Sequence, residues 1–82
     1  MAVPLFEITA IVRRVLRDGD IELLAGTRFD DLPNWDSMDL IAVVVEAEGC
    51  YGLQFELPEI DRLKTVDDLQ QMIEAKQALT PG

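Results

Sequence analysis

The chain has no histidine and only one cysteine, Cys50. Without histidine it cannot form a Ser-His-Asp or Cys-His catalytic site, and it lacks the commonest protein ligand of zinc. A single cysteine cannot form a disulfide within the chain, so the sequence is not that of a disulfide-stabilised scaffold. Cys50 itself is expected to be a small buried residue, because the acidic residues around it disfavour a reactive thiolate.

Long apolar runs are also absent. No run approaches the roughly 20 residues of a membrane span, and Met1-Ala2-Val3-Pro4 lacks the basic start of a signal peptide. We therefore expect a cytoplasmic protein. The 82 residues correspond to a single domain, 1–82, with a modest core, since a chain of this size buries only about two thirds of its unfolded surface. An enzyme with a deep enclosed pocket is not expected.

Positive charge is missing from the middle of the chain. The net charge is -9, and neither lysine nor arginine occurs between Arg28 and Arg62. The acidic residues in that interval are Asp30, Asp31, Asp36, Asp39, Glu46, Glu48, Glu56, Glu59 and Asp61. Such a surface repels nucleic acid and anionic membranes, attracts basic protein surfaces and favours a monomer. The alternative is that surplus acid only keeps a small domain in solution.

Apolar spacing predicts the first helix over residues 4–17. Pro4 suits its first position, and Gly19 is predicted to end it. Apolar residues at intervals of three and four form one stripe along it: Leu5, Ile8, Val12 and Val15. The following residues, 18–35, show no sustained period but remain apolar enough to contact the core. They are predicted to form a long ordered loop, and ordered loops of this length in small domains are often functional.

The second helix is predicted over residues 37–51. The run 40–45 favours a strand by propensity, because consecutive valines disfavour helix. Helix is preferred here because no second convincing strand exists to pair with this run and because Gly52 is well placed to end a helix. The predicted buried stripe is Ile41, Val44, Ala47 and Tyr51.

Two further helices complete the predicted fold. A short third helix opens at Pro58 and covers about residues 58–62. Thr65 is predicted to cap a fourth helix over residues 66–78, and Val66, Leu69 and Ile73 fall on its buried side. Three main helices and one short helix predict a small all-α bundle.

Ser37 stands out because it begins the second helix between two acidic residues. Asp36 is a good N-cap residue, so Ser37 falls in the first helical turn. Unpaired backbone N–H groups and the helix dipole favour an attached anion there, such as a phosphate ester. The competing interpretation is that Ser37 is only a second capping residue beside Asp36.

Four segments in order resemble one family. Asp36-Ser37-Met38 resembles the Asp-Ser-Leu or Asp-Ser-Met attachment motif of carrier proteins, which include acyl, peptidyl and D-alanyl carriers. Residues 27–32 resemble the Phe-x-x-Leu approach to the family's serine, and residues 51–55 resemble its aromatic-Gly-aliphatic helix exit. Residues 65–69 resemble the opening of its last helix. The resemblance covers nearly the whole chain without insertions, and it favours a free-standing acyl carrier.

The resemblance implies a non-catalytic carrier with the same helical fold. A phosphopantetheinyl transferase, using coenzyme A and magnesium, would attach 4'-phosphopantetheine to Ser37, and Asp36 would help present the serine. Acyl intermediates of fatty-acid-like, polyketide or other specialised biosynthesis would be held as thioesters on the terminal thiol. The residues expected to meet basic patches on partner enzymes are Met38, Asp39, Glu46 and Glu48. No metal site and no nucleic-acid binding are expected of the chain itself.

Other functions remain open at this stage. Trp35 precedes the Asp-Ser pair, and Ala42, Gly49 and Cys50 stand where fatty-acid carriers often have acids. These departures also fit an aminoacyl, peptidyl or D-alanyl carrier. Trp35 is equally well explained as a large side chain that covers the core. A cofactor-free acidic interaction module and an enzyme using Asp36 or Asp39 as acid or base are the alternatives from other classes.

Overall fold

The computed structural model describes residues 3–79. Within this range it has four α-helices: α1 Leu5–Leu16, α2 Ser37–Tyr51, α3 Leu57–Ile60 and α4 Val66–Leu79. A 3-10 turn, Phe29–Asp31, lies in the loop between α1 and α2. The described residues form no strand beyond an isolated bridge between Arg28 and Thr65. The predicted small all-α fold, with three main helices and one short one, is confirmed.

Helix α1 ends earlier than the sequence predicted. Arg17, rather than Gly19, stops it, in the left-handed conformation at φ 55°. The Arg17 N–H donates to the Arg13 carbonyl, which closes the last turn. The prediction of Gly19 as the stop is therefore wrong, because a non-glycine residue accepts the conformation that usually selects glycine.

Helix α2 has the predicted bounds, and its predicted buried stripe is correct at Val44 and Ala47 but wrong at Ile41. Val43, Val44 and Ala47 are almost fully buried, whereas Ile41 is 40 % exposed. Cys50 is exposed as well, contrary to the prediction that it is buried. Apolar residues surround the whole first half of α2, so their spacing alone did not identify the side that packs against the other helices.

Hydrogen bonds at its exit fix where α2 ends. Gly52 adopts φ 67°, and both Gly52 N–H and Leu53 N–H donate to the Glu48 carbonyl, at 2.9 and 3.2 Å. Leu53 then enters the core with 8 % of its surface exposed. This is the glycine-dependent ending that the sequence predicted.

Helix α4 begins with a reciprocal cap. Asp68 N–H donates to Thr65 Oγ1 at 3.1 Å, and Thr65 N–H donates to Asp68 Oδ2 at 3.0 Å. Val66, Leu69 and Ile73 are completely buried, as predicted. The cap and the apolar stripe together fix which face of α4 meets the core.

The loop between α1 and α2 is ordered by contacts with the start of α4. Phe29 N–H donates to the Lys64 carbonyl at 3.1 Å, and Val66 N–H donates to the Thr27 carbonyl at 2.9 Å. The loop also contributes four buried side chains to the core: Ile21, Leu23, Phe29 and Leu32. The predicted long ordered loop is therefore confirmed, and it ends directly before Ser37.

Helices α1 and α2 run antiparallel. Tyr51, the last residue of α2, donates its hydroxyl to Glu7 Oε1 near the start of α1 at 2.6 Å. Arg14 Nε, near the other end of α1, lies 3.8 Å from Glu46 Oε2. Ser37 therefore lies at the end of the bundle where α1 finishes. Between residues 3 and 79, no helix is long and apolar enough to cross a bilayer.

Candidate functional site

Ser37 is the first residue of α2, and its side chain is exposed. The helix cap is made by its neighbours: Asp36 Oδ1 accepts from Met38 N–H at 2.8 Å and from Asp39 N–H at 3.1 Å. Asp39 Oδ2 in turn accepts from Asp36 N–H at 3.0 Å. Asp36 and Asp39 thus form a complete capping box. The hydrogen bonds of this cap are made by Asp36 and Asp39 and do not include the Ser37 hydroxyl.

This cap changes the electrostatic argument made from the sequence. The sequence predicted that unpaired N–H groups in the first turn favour an anion, but the Asp36 carboxylate already accepts from the N–H groups of Met38 and Asp39. An anion on Ser37 would therefore meet a carboxylate at the helix start. Its stabilisation must come from the helix dipole and from a nearby cation rather than from these two N–H groups.

A cavity of about 250 Å³ opens beside Ser37. It lies between the start of α2, the loop before it and the segment that follows α3. The lining residues are Phe29, Asp30, Trp35, Asp36, Ser37, Leu40, Ile60, Asp61, Leu63 and Lys64. The wall thus combines apolar side chains with charged groups near the serine.

Trp35 and Phe29 form the aromatic part of that wall. Their rings are stacked, with centroids 5.2 Å apart and planes inclined by 13°. Phe29 is 2 % exposed and belongs to the core, whereas Trp35 is half-buried and packs against the core from outside. Trp35 therefore covers the core, as one interpretation of the sequence proposes, and it also lines the cavity beside Ser37.

Among the residues that line the cavity, Lys64 is the one cation. Three carboxylate residues, Asp30, Asp36 and Asp61, line the same space. A phosphate ester on Ser37 would be attracted by Lys64 and repelled by the carboxylates. Within residues 3–79 no group of three or more Cys, Asp or Glu residues is arranged to hold a metal ion.

The four predicted partner-binding residues differ in what they contact. Met38 is 67 % exposed, and Glu46 makes only the long, exposed pair with Arg14. Asp39 is part of the capping box. Glu48 is half-buried, and its Oε2 accepts from Phe55 N–H at 2.7 Å. Two of the predicted acids thus support the fold locally, which leaves Met38 and Glu46 as the more accessible of the four.

Sequence reasoning missed an apolar ridge on α2. Ile41 and Val45 are 40 % and 57 % exposed, and with Met38 they recur at intervals of three and four on one side of the helix. We call Met38, Ile41 and Val45 the α2 ridge. The sequence did contain a signal for the ridge, because α2 has more apolar residues than one buried face needs.

Comparison with known proteins identifies the family. No protein-family model matches the chain. The solution structure of a holo acyl carrier protein from Geobacter metallireducens is similar with a TM-score of 0.82 and 35% identity, over 92% of this chain and 86% of that one. The chain belongs to the acyl carrier protein family. The family predicted from the Asp36-Ser37-Met38 motif is therefore confirmed.

A second solved structure has the same fold as this chain. A candidate acyl carrier protein from Mycobacterium tuberculosis has a TM-score of 0.72 and 24% identity, over 92% of this chain and 95% of that one. Proteins of the acyl carrier family are in general carriers rather than catalysts. The role of this chain is supported by the first structure, at 35% identity, whereas the second, at 24%, shows the fold alone.

Proposed function

We propose that Ser37 is esterified with 4'-phosphopantetheine and that the chain carries acyl groups on it as thioesters. The observation that carries this proposal is the exposed Ser37 hydroxyl at the start of α2, left out of the cap that Asp36 and Asp39 form. When attached, the group supplies a tethered thiol, so that a bound acyl chain is presented to each partner enzyme at high effective concentration.

Lys64 and the apolar residues beside Ser37 suit this group, whereas Asp30, Asp36 and Asp61 in the same cavity oppose its negative charge. Lys64 supplies a positive charge for the phosphate ester, at the same cavity as the serine. Trp35, Leu40 and Ile60 supply apolar surface for the methyl-bearing part of the phosphopantetheine arm. The helix dipole adds a favourable field at the first residue of α2. These residues would hold the group near the helix start, while the exposure of Ser37 keeps it accessible.

Attachment requires a separate phosphopantetheinyl transferase with coenzyme A and magnesium. The Ser37 oxygen would bond to the phosphorus that carries the pantetheine arm, the pyrophosphate P–O bond from that phosphorus to the nucleotide of coenzyme A would break, and the serine proton would pass to a base of the transferase. Asp36 is exposed beside the serine. Its carboxylate is proposed to attract the magnesium ion of the transferase. The need for coenzyme A and the transferase is the reason we place the protein in the cytoplasm.

Partner enzymes are proposed to dock on the exposed side of α2, next to Ser37. The α2 ridge supplies apolar contact, and Glu46 supplies accessible negative charge. Asp39 and Glu48 add to the negative field although both hold backbone N–H groups. Charge attraction raises the association rate, while a small apolar contact keeps residence short. The net charge of -9 favours a monomer in these encounters.

Acyl groups are the proposed cargo, because the similar structure at 35% identity is an acyl carrier protein. The pathway is proposed to be fatty-acid-like, polyketide or other specialised biosynthesis. An aminoacyl or D-alanyl cargo would instead require an adenylating enzyme that loads the holo protein directly. Loading assays with an acyl-transferring and an aminoacyl-adenylating enzyme distinguish these two cargo classes.

Intact mass spectrometry tests the attachment. The purified protein is incubated with coenzyme A, magnesium and a phosphopantetheinyl transferase of broad specificity. We expect one phosphopantetheine adduct on the wild-type chain, located on Ser37 by peptide fragmentation, and no adduct on Ser37→Ala. Failure of several transferases to modify a folded wild-type protein would favour the cofactor-free interaction module. An adduct on another residue would also refute the proposed site.

A further inference from the structure

Two methionines lie in the described part of the chain, and they differ in how far solvent reaches them. Met38, in the first turn of α2, is 67 % exposed. Met72, on α4, is partly buried and packs against the core. A peroxide oxidises the thioether sulfur of methionine to a sulfoxide only where it can reach the sulfur. In the folded protein Met38 is therefore the more open of the two to oxidation.

Met38 is also the methionine next to Ser37. Its N–H donates to Asp36 Oδ1 at 2.8 Å, which fixes its backbone in the capping box of α2. Its side chain is one end of the α2 ridge, with Ile41 about one turn further along the helix. A chemical change at Met38 therefore alters the end of the α2 ridge that adjoins the proposed attachment serine.

Oxidation replaces an apolar group by a polar one at this position. The sulfur forms a bond to one oxygen of the peroxide, the O–O bond breaks, and the other oxygen leaves as water or an alcohol, so the sulfur loses two electrons and the peroxide gains them. The new sulfoxide oxygen accepts hydrogen bonds. The neighbouring carboxylates of Asp36 and Asp39 cannot donate one when ionised, and the N–H groups of Met38 and Asp39 already donate to Asp36. The sulfoxide oxygen is thus left to water, and burying it under a partner costs free energy.

The exposed thiol of Cys50 is a second oxidisable sulfur on α2. It lies close to the other end of the helix, about 18 Å from Met38 along the helix axis. Cys50 does not belong to the α2 ridge, so its oxidation leaves that surface unchanged. The effects of the two sulfurs can therefore be separated by substitution.

We propose that Met38 is a site of reversible oxidation by peroxides, and that its sulfoxide weakens the docking of partner enzymes on the α2 ridge. This inference rests on the proposed carrier function, because the ridge is where partner enzymes are proposed to dock. Methionine sulfoxide reductases, supplied with a dithiol reductant, remove the added oxygen as water and restore the thioether. Because Met38 lies outside the core, its oxidation changes the docking surface and leaves the fold in place.

Peptide mass spectrometry tests where oxidation occurs. The full-length Cys50→Ser variant is treated with dilute hydrogen peroxide, and the sulfoxide at each methionine is followed over time. We expect Met38 in the folded protein to be oxidised about fivefold faster than Met72, because its side chain is more exposed. In concentrated urea the two rates should converge, since unfolding exposes both side chains.

Phosphopantetheine transfer and direct binding test the effect on docking. After removal of the peroxide, the oxidised Cys50→Ser protein should show about fivefold lower kcat/KM for modification of Ser37, and weaker binding to the transferase in the absence of coenzyme A. A methionine sulfoxide reductase should restore both. Further variants in the same background are each compared with their own unoxidised form. Met38→Leu should show no loss on oxidation, and Met72→Leu should show the full loss.

Several results would overturn this proposal. Equal oxidation rates of Met38 and Met72 in the folded protein would show that exposure does not select Met38. Unchanged transfer and binding after oxidation of Met38 would show that docking does not need an apolar side chain there, and a loss that persists in Met38→Leu would assign it to another residue. Unoxidised protein that no transferase modifies refutes the carrier function together with this inference. Normal modification of Ser37 without a loss on oxidation refutes this inference alone.

Discussion

The Lys76 ammonium lies 2.8 Å from Glu59 Oε1 and joins α4 to α3. The same Glu59 oxygen accepts from Glu56 N–H at 2.8 Å, which completes the cap of α3. Lys76 Nζ also lies 5.3 Å from the centroid of the Phe55 ring. Because α3 has only four residues, it has little stability of its own. This contact therefore fixes α3, which carries Ile60 to the cavity beside Ser37.

Replacing Glu59 by glutamine is expected to loosen α3. The variant loses the ionic contact with Lys76 and weakens the cap, so it should unfold at lower urea concentration and exchange the amide protons of α3 faster than the wild type. Asp61→Asn is the control, because it removes the same charge from an exposed neighbouring residue. Equal effects of the two substitutions would show that net charge, rather than the contact, is responsible.

The Glu59 contact also predicts a dependence on pH. The hydrogen bond from Lys76, followed by the one from Glu56 N–H, lowers the pKa of Glu59 below its ordinary value. A lowered folded-state pKa gives stability that is present above the ordinary glutamate pKa and is lost as the pH falls through the folded-state value. The difference in unfolding midpoint between wild type and Glu59→Gln should therefore shrink on acidification below about pH 4.5. A difference that widens would contradict this.

Tyr51 links the end of α2 to the start of α1. Tyr51→Phe removes its hydrogen bond to Glu7 and should lower the free energy of unfolding by about 1 kcal/mol. Burial, followed by the bond to Glu7, raises the pKa of Tyr51. A raised folded-state pKa gives stability that is present at lower pH and is lost as the pH rises above about 10. Urea unfolding between neutral and alkaline pH should show this loss in the wild type and a smaller one in Tyr51→Phe.

Two glycines near the end of α2 form a matched pair. Gly52 has φ 67°, and an added Cβ would meet no atom within 4 Å, so Gly52→Ala tests backbone conformation without a steric clash. It should destabilise the protein by about 1–2 kcal/mol. Gly49 is helical and equally uncrowded, so Gly49→Ala should stabilise by about 0.5–1 kcal/mol. Thermal unfolding of both variants checks the two signs, and the same sign for both would contradict the structure.

Local signals in the sequence predicted a large part of this fold. The cap at Asp36, the cap at Thr65 and the glycine exit at Gly52 depend on residues close together in the chain, so their types and spacing are sufficient. The buried stripes of α1 and α4 could be predicted because their apolar residues recur at intervals of three and four, with polar residues between them. The position of Ser37 at the start of α2 followed from the same rules.

Contacts between distant residues could not be predicted in this way. The Tyr51–Glu7 bond joins residues 44 positions apart and depends on how α1 and α2 pack. The buried face of α2 was predicted wrongly at Ile41, because apolar residues at 40–45 give several possible stripes and tertiary packing selects one. The same uncertainty concealed the α2 ridge, which is visible only once the buried side is known.

The α2 ridge predicts how partner enzymes respond to substitutions. Ile41→Ser and Val45→Ser should each lower kcat/KM for phosphopantetheine transfer to Ser37 about tenfold if partner enzymes dock on the ridge as proposed, because an apolar contact with the transferase is then lost. Glu46→Gln should lower it only about twofold, since an exposed charge contributes mainly to the association rate.

Measurements at low and high salt separate the apolar contribution from the charged one. Only the Glu46→Gln effect should disappear at high salt, because screening weakens charge attraction and leaves apolar contact. Leu57→Ser controls for the loss of an exposed leucine elsewhere. Normal transfer to Ile41→Ser and Val45→Ser, together with a large loss in Glu46→Gln, would show that charge governs docking. Partner recognition would then depend on the acidic residues predicted from the sequence. The α2 ridge would be exposed apolar surface with no part in binding.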